Sequence, residues 1–222
     1  MSRLDLIKIL SHFQLDGTPI YLEPYGAGNI NSTYLGKLVN KDESVQKVIL
    51  QRINHQVFTE PEKVMANIEQ VTAHLRQKIV QHGGDPQREV LNFVPAQDGR
   101  SYFKSDYGGY WRVELFIENA TTYQSASTLR HYYEAAFAYG RFQAMLADFP
   151  VHNLHETIPH FHHTGRRLLA FETAVSADKA KRVDSLAEEI SFMRQRANSA
   201  TILTDLLESG QIPLRVTHND TK

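Results

Sequence analysis

Apolar residues recur at near-helical spacing over the first dozen positions. Leu4, Ile7, Leu10 and Phe13 share one face and predict a short amphipathic helix that stops at Asp16-Gly17. The period then changes. Residues 18–25 read as extended, Gly26-Ala27-Gly28-Asn29 as a bend, 34–39 as a second strand, 40–43 as a turn and 45–53 as a third strand. From 61 to 82 the stripe Val64, Ile68, Val71, Leu75 and Ile79 marks a long helix, with Pro61 suited to its first turn and Gly83-Gly84 to its stop. Segments 89–95 and 100–104 flank Gln97-Asp98-Gly99 and predict a hairpin, and 110–118 is a further extended, aromatic-rich run.

Beyond Thr121-Thr122 the pattern turns helical. A helix is expected over 127–146, with Leu129, Tyr133, Ala136, Phe137, Gly140 and Ala144 on its packing face. A second is expected over 166–177, and a third over 182–209 with the stripe Leu186, Ile190, Met193 and Ala197. A sheet-rich half followed by a helical half predicts an α+β fold in two lobes, 1–118 and 119–222.

Composition narrows the class only a little. A chain of 222 residues can bury a sizeable core, and 41% hydrophobic with 22% charged residues places it among ordinary globular proteins. The 24 basic and 25 acidic residues nearly cancel, which removes an electrostatic case for nucleic acid or membrane. The absence of cysteine excludes disulfides and thiolate metal sites and agrees with a cytoplasmic location. No long apolar run follows the N-terminus, so neither a signal peptide nor a membrane span is expected.

Several stretches carry candidate chemistry. Gly26 and Gly28, between two strands, let the backbone approach a phosphate, and Asn29, Asn31 and Ser32 add short polar groups; the same residues also suit a plain hairpin turn. No helix follows and no Gly-Lys-Ser/Thr is present, which excludes dinucleotide and Walker loops. In the third strand, alternation sets Lys47, Ile49, Gln51 and Ile53 on one face and Val48, Leu50 and Arg52 on the other. Gln51 then stands where a phosphotransferase strand carries a phosphate-pairing lysine; a polar strand end is the plainer alternative. Glu69 on the long helix is the candidate partner for that slot, or a solvated helix charge. Phe116, Ile117 and Glu118 offer an apolar wall and backbone groups to a flat ring, or simply end a core strand. His152, His155, His160, His162 and His163 cluster without a regular metal-ligand spacing, so no metal ligand is assigned. Arg166 and Arg167 stand near them as candidates for holding an anionic substrate. At the end, Ile212-Pro213-Leu214-Arg215-Val216 leads into Thr217-His218-Asn219-Asp220-Thr221-Lys222, a polar turn with a carboxylate and a cation two residues apart. Phosphoryl transfer uses such a pair to take the acceptor's proton and meet the γ-phosphate.

The segments 23–31, 49–52, 67–69, 111–112, 116–118, 156–162 and 212–222 resemble the aminoglycoside phosphotransferase/choline kinase superfamily, and within it the N-acetylhexosamine 1-kinases. The resemblance spans almost the whole chain, and its most specific stretch is the last. It implies a protein-kinase-like bilobal fold, an antiparallel sheet lobe with a long helix and then an incomplete helical lobe, with ATP between them. Asp220 matches the catalytic base and Lys222 a lysine found beside it. Gly26, Ala27, Gly28, Asn29 and Asn31 would cover the phosphates, Gln51 and Glu69 would stand at the lysine–glutamate pair, and Phe116, Ile117 and Glu118 would form the adenine hinge. The implied cofactors are ATP and Mg²⁺, with metal ligands expected beyond Lys222, and the implied substrate is an N-acetylhexosamine phosphorylated at its anomeric hydroxyl. The 222-residue chain alone is therefore expected to be inactive, and to expose an apolar face on its helical half that a dimer partner would cover. The alternatives are a kinase of another small alcohol (aminoglycoside, choline, homoserine) and a non-catalytic nucleotide-binding or interaction module.

Overall fold

The computed structural model describes residues 2–26, 28, 30–123 and 125–219. The chain separates into two units, Met1–Thr157 and Ile158–Lys222; the boundary expected at 118/119 falls inside the first.

The first unit opens with α1 (Arg3–Leu10), started by a reciprocal cap in which Ser2 Oγ accepts from Asp5 N at 3.2 Å and Asp5 Oδ2 accepts from Ser2 N at 2.9 Å. Strands β1 (Thr18–Pro24), β2 (Ser32–Val39), β3 (Val45–Ile53), β4 (Phe93–Val94), β5 (Phe103–Lys104) and β6 (Tyr110–Leu115) follow, with α2 (Pro61–Gln81) between β3 and β4. They form an antiparallel sheet in the order β1-β2-β3-β6-β4, with β5 also on β6. With its helices this makes the α+β class expected from the pattern.

Period-two alternation divides the sheet into a face packed on α1 and an opposite face. Leu22, Leu38, Val48, Leu50, Trp111 and Val113 are buried with Leu6 and Leu10 of α1 and with Phe13. Each such side chain contributes roughly 1.5–3 kcal/mol on removal from water. The opposite face carries Gln51 and its neighbours.

Three expectations need correction. The turn at Gln97-Asp98-Gly99 forms, with Gly99 at φ +84° and Ala96 N donating to Arg100 O at 2.7 Å. Its flanks, however, do not pair as a hairpin: β4 and β5 each pair with β6 instead. Residues 89–92 are drawn out of the strand because Glu89 N bonds Asp85 O at 2.9 Å and Asn92 Nδ2 donates to Val90 O at 2.9 Å. The last strand stops at Leu115, and the chain turns at Glu118 and Asn119, the latter at φ +55°.

α2 begins at Pro61 as expected. It is fastened along one side to the 145–155 segment. Asn67 Nδ2 donates to His155 O at 2.7 Å and Asn67 Oδ1 accepts from His155 N at 2.8 Å. One, two and three turns on, Gln70 bonds Asn153 O at 3.4 Å, and His74 and Lys78 both meet Asp148, at 3.2 and 2.5 Å. α3 (Leu129–Met145) is capped by Thr128, whose hydroxyl accepts from His131 N, and has no buried residue: Leu129, Tyr132, Tyr133 and Phe137 are exposed. The packing face expected for this helix is therefore uncovered in the first unit.

In the second unit α4 (Thr164–Ala177) is capped by His163, whose Nδ1 accepts from Arg166 N at 3.3 Å, and ends at Asp178 in the left-handed region. The single helix expected over 182–209 is broken into α5 (Ala187–Gln195) and α6 (Ile202–Glu208), with 3-10 turns at Asp184–Leu186 and Ala197–Ser199. At the second turn Ser199 N bonds Arg196 O and Ala200 N bonds Ala197 O, so the bonding tightens where Asn198 and Ser199 favour turns over helix. Arg194 on α5 pairs with Glu172 on α4 at 2.8 Å.

Candidate functional site

The face of the sheet opposite α1, which Met65 of α2 reaches, carries Gln51 among a row of polar side chains. Register places Thr33, Gln51 and Arg112 side by side across β2, β3 and β6, and Leu35, Ile49 and Glu114 in the next row. Leu35 and Ile49 are buried and make an apolar floor. Gln51 lies at the centre of a hydrogen-bond network. Its Oε1 accepts from Arg112 Nε at 3.0 Å and Nη2 at 2.7 Å, and its Nε2 donates to Thr33 Oγ1 at 2.9 Å. Asn31 Nδ2 reaches the same Oε1 at 3.5 Å.

Asn31 also ties the end of the glycine bend to the end of β3. Its Oδ1 accepts from Asn54 N at 2.9 Å, while Asn54 Nδ2 donates back to Ile30 O at 3.1 Å. Gly26 has φ +80°, a conformation only glycine adopts without strain, and a Cβ at Gly26 or Gly28 would meet nothing within 4 Å. Both described glycines thus have free space where a side chain would stand. Ala27 and Asn29 lie outside the described residues.

At the far end of the same face, Phe116 follows β6 and is held by its N–H on Lys47 O at 3.1 Å. Tyr25 meets its ring edge-on, Lys47 Nζ lies 5.5 Å from its centroid, and Lys47 pairs with Glu118 at 2.9 Å. Glu118 O also accepts from Arg88 Nη1 at 2.7 Å, and Ile117 is half-buried. The strand before the bend, the Gln51 row and the 116–118 segment therefore border one surface. Glu69 does not join them: it is exposed on α2, and Met65, one turn earlier, is the α2 residue that reaches Arg112, with Sδ 3.7 Å from Nη1.

The charges here are costly. Burial disfavours the Arg112 cation, and it raises the Glu114 carboxyl above its ordinary range, more than the nearby Arg112 lowers it. Glu114 Oε2 is buried with no hydrogen-bond partner. Arg112, Thr33, Asn54 and Lys47 were not singled out as site residues from the sequence. Their signal is the register, which only the paired strands reveal.

In the second unit Asp220 and Lys222 lie outside the described residues. The lead-in to them is ordered by Asn219 at φ +62°, which receives Thr217 Oγ1 on its Oδ1 at 2.7 Å and His162 on its main-chain oxygen at 2.8 Å. That last bond requires the proton on His162 Nε2. His163 caps α4 and Arg167 bonds Phe161 O, so these residues have local bonding roles. Among the described residues no group of three His, Asp or Glu side chains is placed to hold a metal ion, and no helix is long and apolar enough to cross a membrane.

No protein-family model matches the chain. Among solved structures it is similar to that of an aminoglycoside phosphotransferase from Alicyclobacillus acidocaldarius subsp. acidocaldarius DSM 446, at 12% sequence identity and a TM-score of 0.49. The similarity covers 89% of this chain and 52% of that one, so the chain spans about half the length of that protein.

Proposed function

We propose that the chain is part of an ATP-dependent phosphotransferase of the aminoglycoside phosphotransferase/choline kinase superfamily, with a kinase-like fold, acting on a hydroxyl of a small molecule. The observation that carries this is the shared surface of the first unit. Gly26 and Gly28 with free space beside them, a polar row centred on Gln51 and the buried apolar pair Leu35 and Ile49 lead to Phe116. A nucleotide laid along that face would set its ring toward Phe116 and Ile117 and its phosphates toward the bend and Gln51. Glu69, exposed on α2, is left out of this arrangement.

The reaction is assigned to the turn at the end of the chain. Asp220 takes the proton of the acceptor hydroxyl as its oxygen bonds to the γ-phosphorus, and the β–γ bridging oxygen leaves with the electron pair as ADP. Lys222 supplies positive charge to the transferring group. MgATP is the substrate. The described residues offer no cluster of three metal-ligating side chains. The resemblance of the stretch 212–222 to the N-acetylhexosamine 1-kinases supports the anomeric hydroxyl of an N-acetylhexosamine as acceptor, with an amino alcohol, an aminoglycoside or homoserine as the alternatives.

The test is to incubate the product of the whole reading frame with MgATP and N-acetylglucosamine, N-acetylgalactosamine, choline, homoserine or an aminoglycoside, following products by phosphorus NMR. A sugar 1-phosphate is expected. Phosphorylation of another acceptor alone would reject the hexosamine, and no phosphoryl transfer to any acceptor would reject the kinase.

A further inference from the structure

Position 51 carries no charge, yet the row it belongs to does. Arg112 is the register partner of Gln51, and two of its guanidinium nitrogens converge on one amide oxygen. That arrangement fixes which way the amide faces: Oε1 toward the cation, Nε2 toward Thr33 at the start of β2, the strand that leaves the glycine bend. Two donors on one acceptor also polarise the amide, so its N–H groups become better donors to an anion. Arg112 itself is held by its neighbours, with its guanidinium over the Phe93 ring at 5.4 Å and Nη1 against Met65. Glu114, two residues on along the same face, leaves its Oε2 without a hydrogen-bond partner and acts on the Arg112 cation at a distance.

We infer that Arg112 is a positioning residue for nucleotide phosphates, its charge delivered through Gln51 and doing the work of a lysine at position 51. The inference rests on the nucleotide site proposed above. A buried guanidinium kept only for packing predicts a different outcome, because an apolar side chain of similar volume is often as stable.

The experiment is a charge transplant. MgATP and adenosine are titrated calorimetrically into the full chain and into Arg112→Met, Gln51→Lys and the double variant, with thermal unfolding of each. Arg112→Met is expected to lose about tenfold or more in MgATP affinity, with adenosine affinity held within about twofold. Gln51→Lys alone also loses MgATP affinity, since its ammonium would stand against the Arg112 guanidinium. The double variant, with one cation returned to the row, recovers to within about threefold of the parent. Unchanged MgATP affinity in Arg112→Met, or a double variant no better than Arg112→Met, overturns the inference. Should Arg112→Met fail to fold, Arg112→Lys keeps the charge but loses the two-donor grip. An intermediate loss of MgATP affinity is then expected, and no loss overturns the inference. Failure of the parent chain to bind either MgATP or adenosine rejects the nucleotide site itself. Binding by the parent with indifferent Arg112 variants rejects only the role given to Arg112.

Discussion

Tyr25 meets Phe116 edge-on, with ring centroids 5.8 Å apart and planes at 80°. One ring precedes the glycine bend and the other follows β6, so the contact ties the bend to the proposed ring-binding segment. An aromatic pair of this kind contributes about 0.5–1.5 kcal/mol beyond area burial. Tyr25→Ala is therefore expected to weaken MgATP binding up to about tenfold and to speed amide exchange at residues 26–31. Tyr25→Phe should behave as the parent. Calorimetry and hydrogen exchange check both, and an Ala variant with unchanged affinity and exchange would remove the contact from the site.

Glu114 gives a pH prediction. Its carboxyl is raised above the ordinary 4.5, chiefly by burial, so the folded chain holds this proton more tightly than the unfolded chain. Stability from this group is then fully present below about pH 4.5 and falls as pH rises through the folded-state value. Glu114→Gln removes the buried charge. The variant's melting temperature should exceed the parent's at pH 7, with the gap closing as pH falls toward 4.5. A gap that stays constant from pH 4.5 to 7 would contradict the assignment.

Asn67 uses both ends of its amide on the main chain of His155. Asn67→Asp keeps the acceptor and turns the donor into a charge facing a carbonyl oxygen. A loss of about 1–2 kcal/mol in urea unfolding is expected, while the isosteric change leaves packing alone. If Asn67→Asp matches the parent, α2 is not fastened there in solution.

Asp220 is proposed as the proton acceptor. Asp220→Asn in the whole reading-frame product should lower turnover by about 10²–10⁴-fold with MgATP affinity kept. A variant that turns over normally would return Asp220 to an ordinary turn residue.

Much of the first unit is legible from patterning. Alternation over 45–53 and the 61–82 stripe report burial directly, and β3 and α2 form where those patterns lie. The short strands were not legible, because two-residue pairings such as Phe93–Val94 depend on β6 being present rather than on any period of their own. The break at 197–199 was hidden by Leu186, Ile190, Met193 and Ala197, whose spacing runs up to the first residue of the turn that Asn198 and Ser199 make. At the candidate site, Gly26, Asn31 and Gln51 were visible by residue type. Arg112 was not, since one strand's alternation names a face but never the neighbour across it.

The row Thr33–Gln51–Arg112 has a practical consequence for recognising chains of this kind. On the inference drawn for Arg112, a screen that demands lysine at one alignment column would discard this chain, although a guanidinium stands one strand away with two nitrogens on the glutamine oxygen. Scoring the summed charge of three hydrogen-bonded neighbours, instead of the identity of a single letter, would retain it.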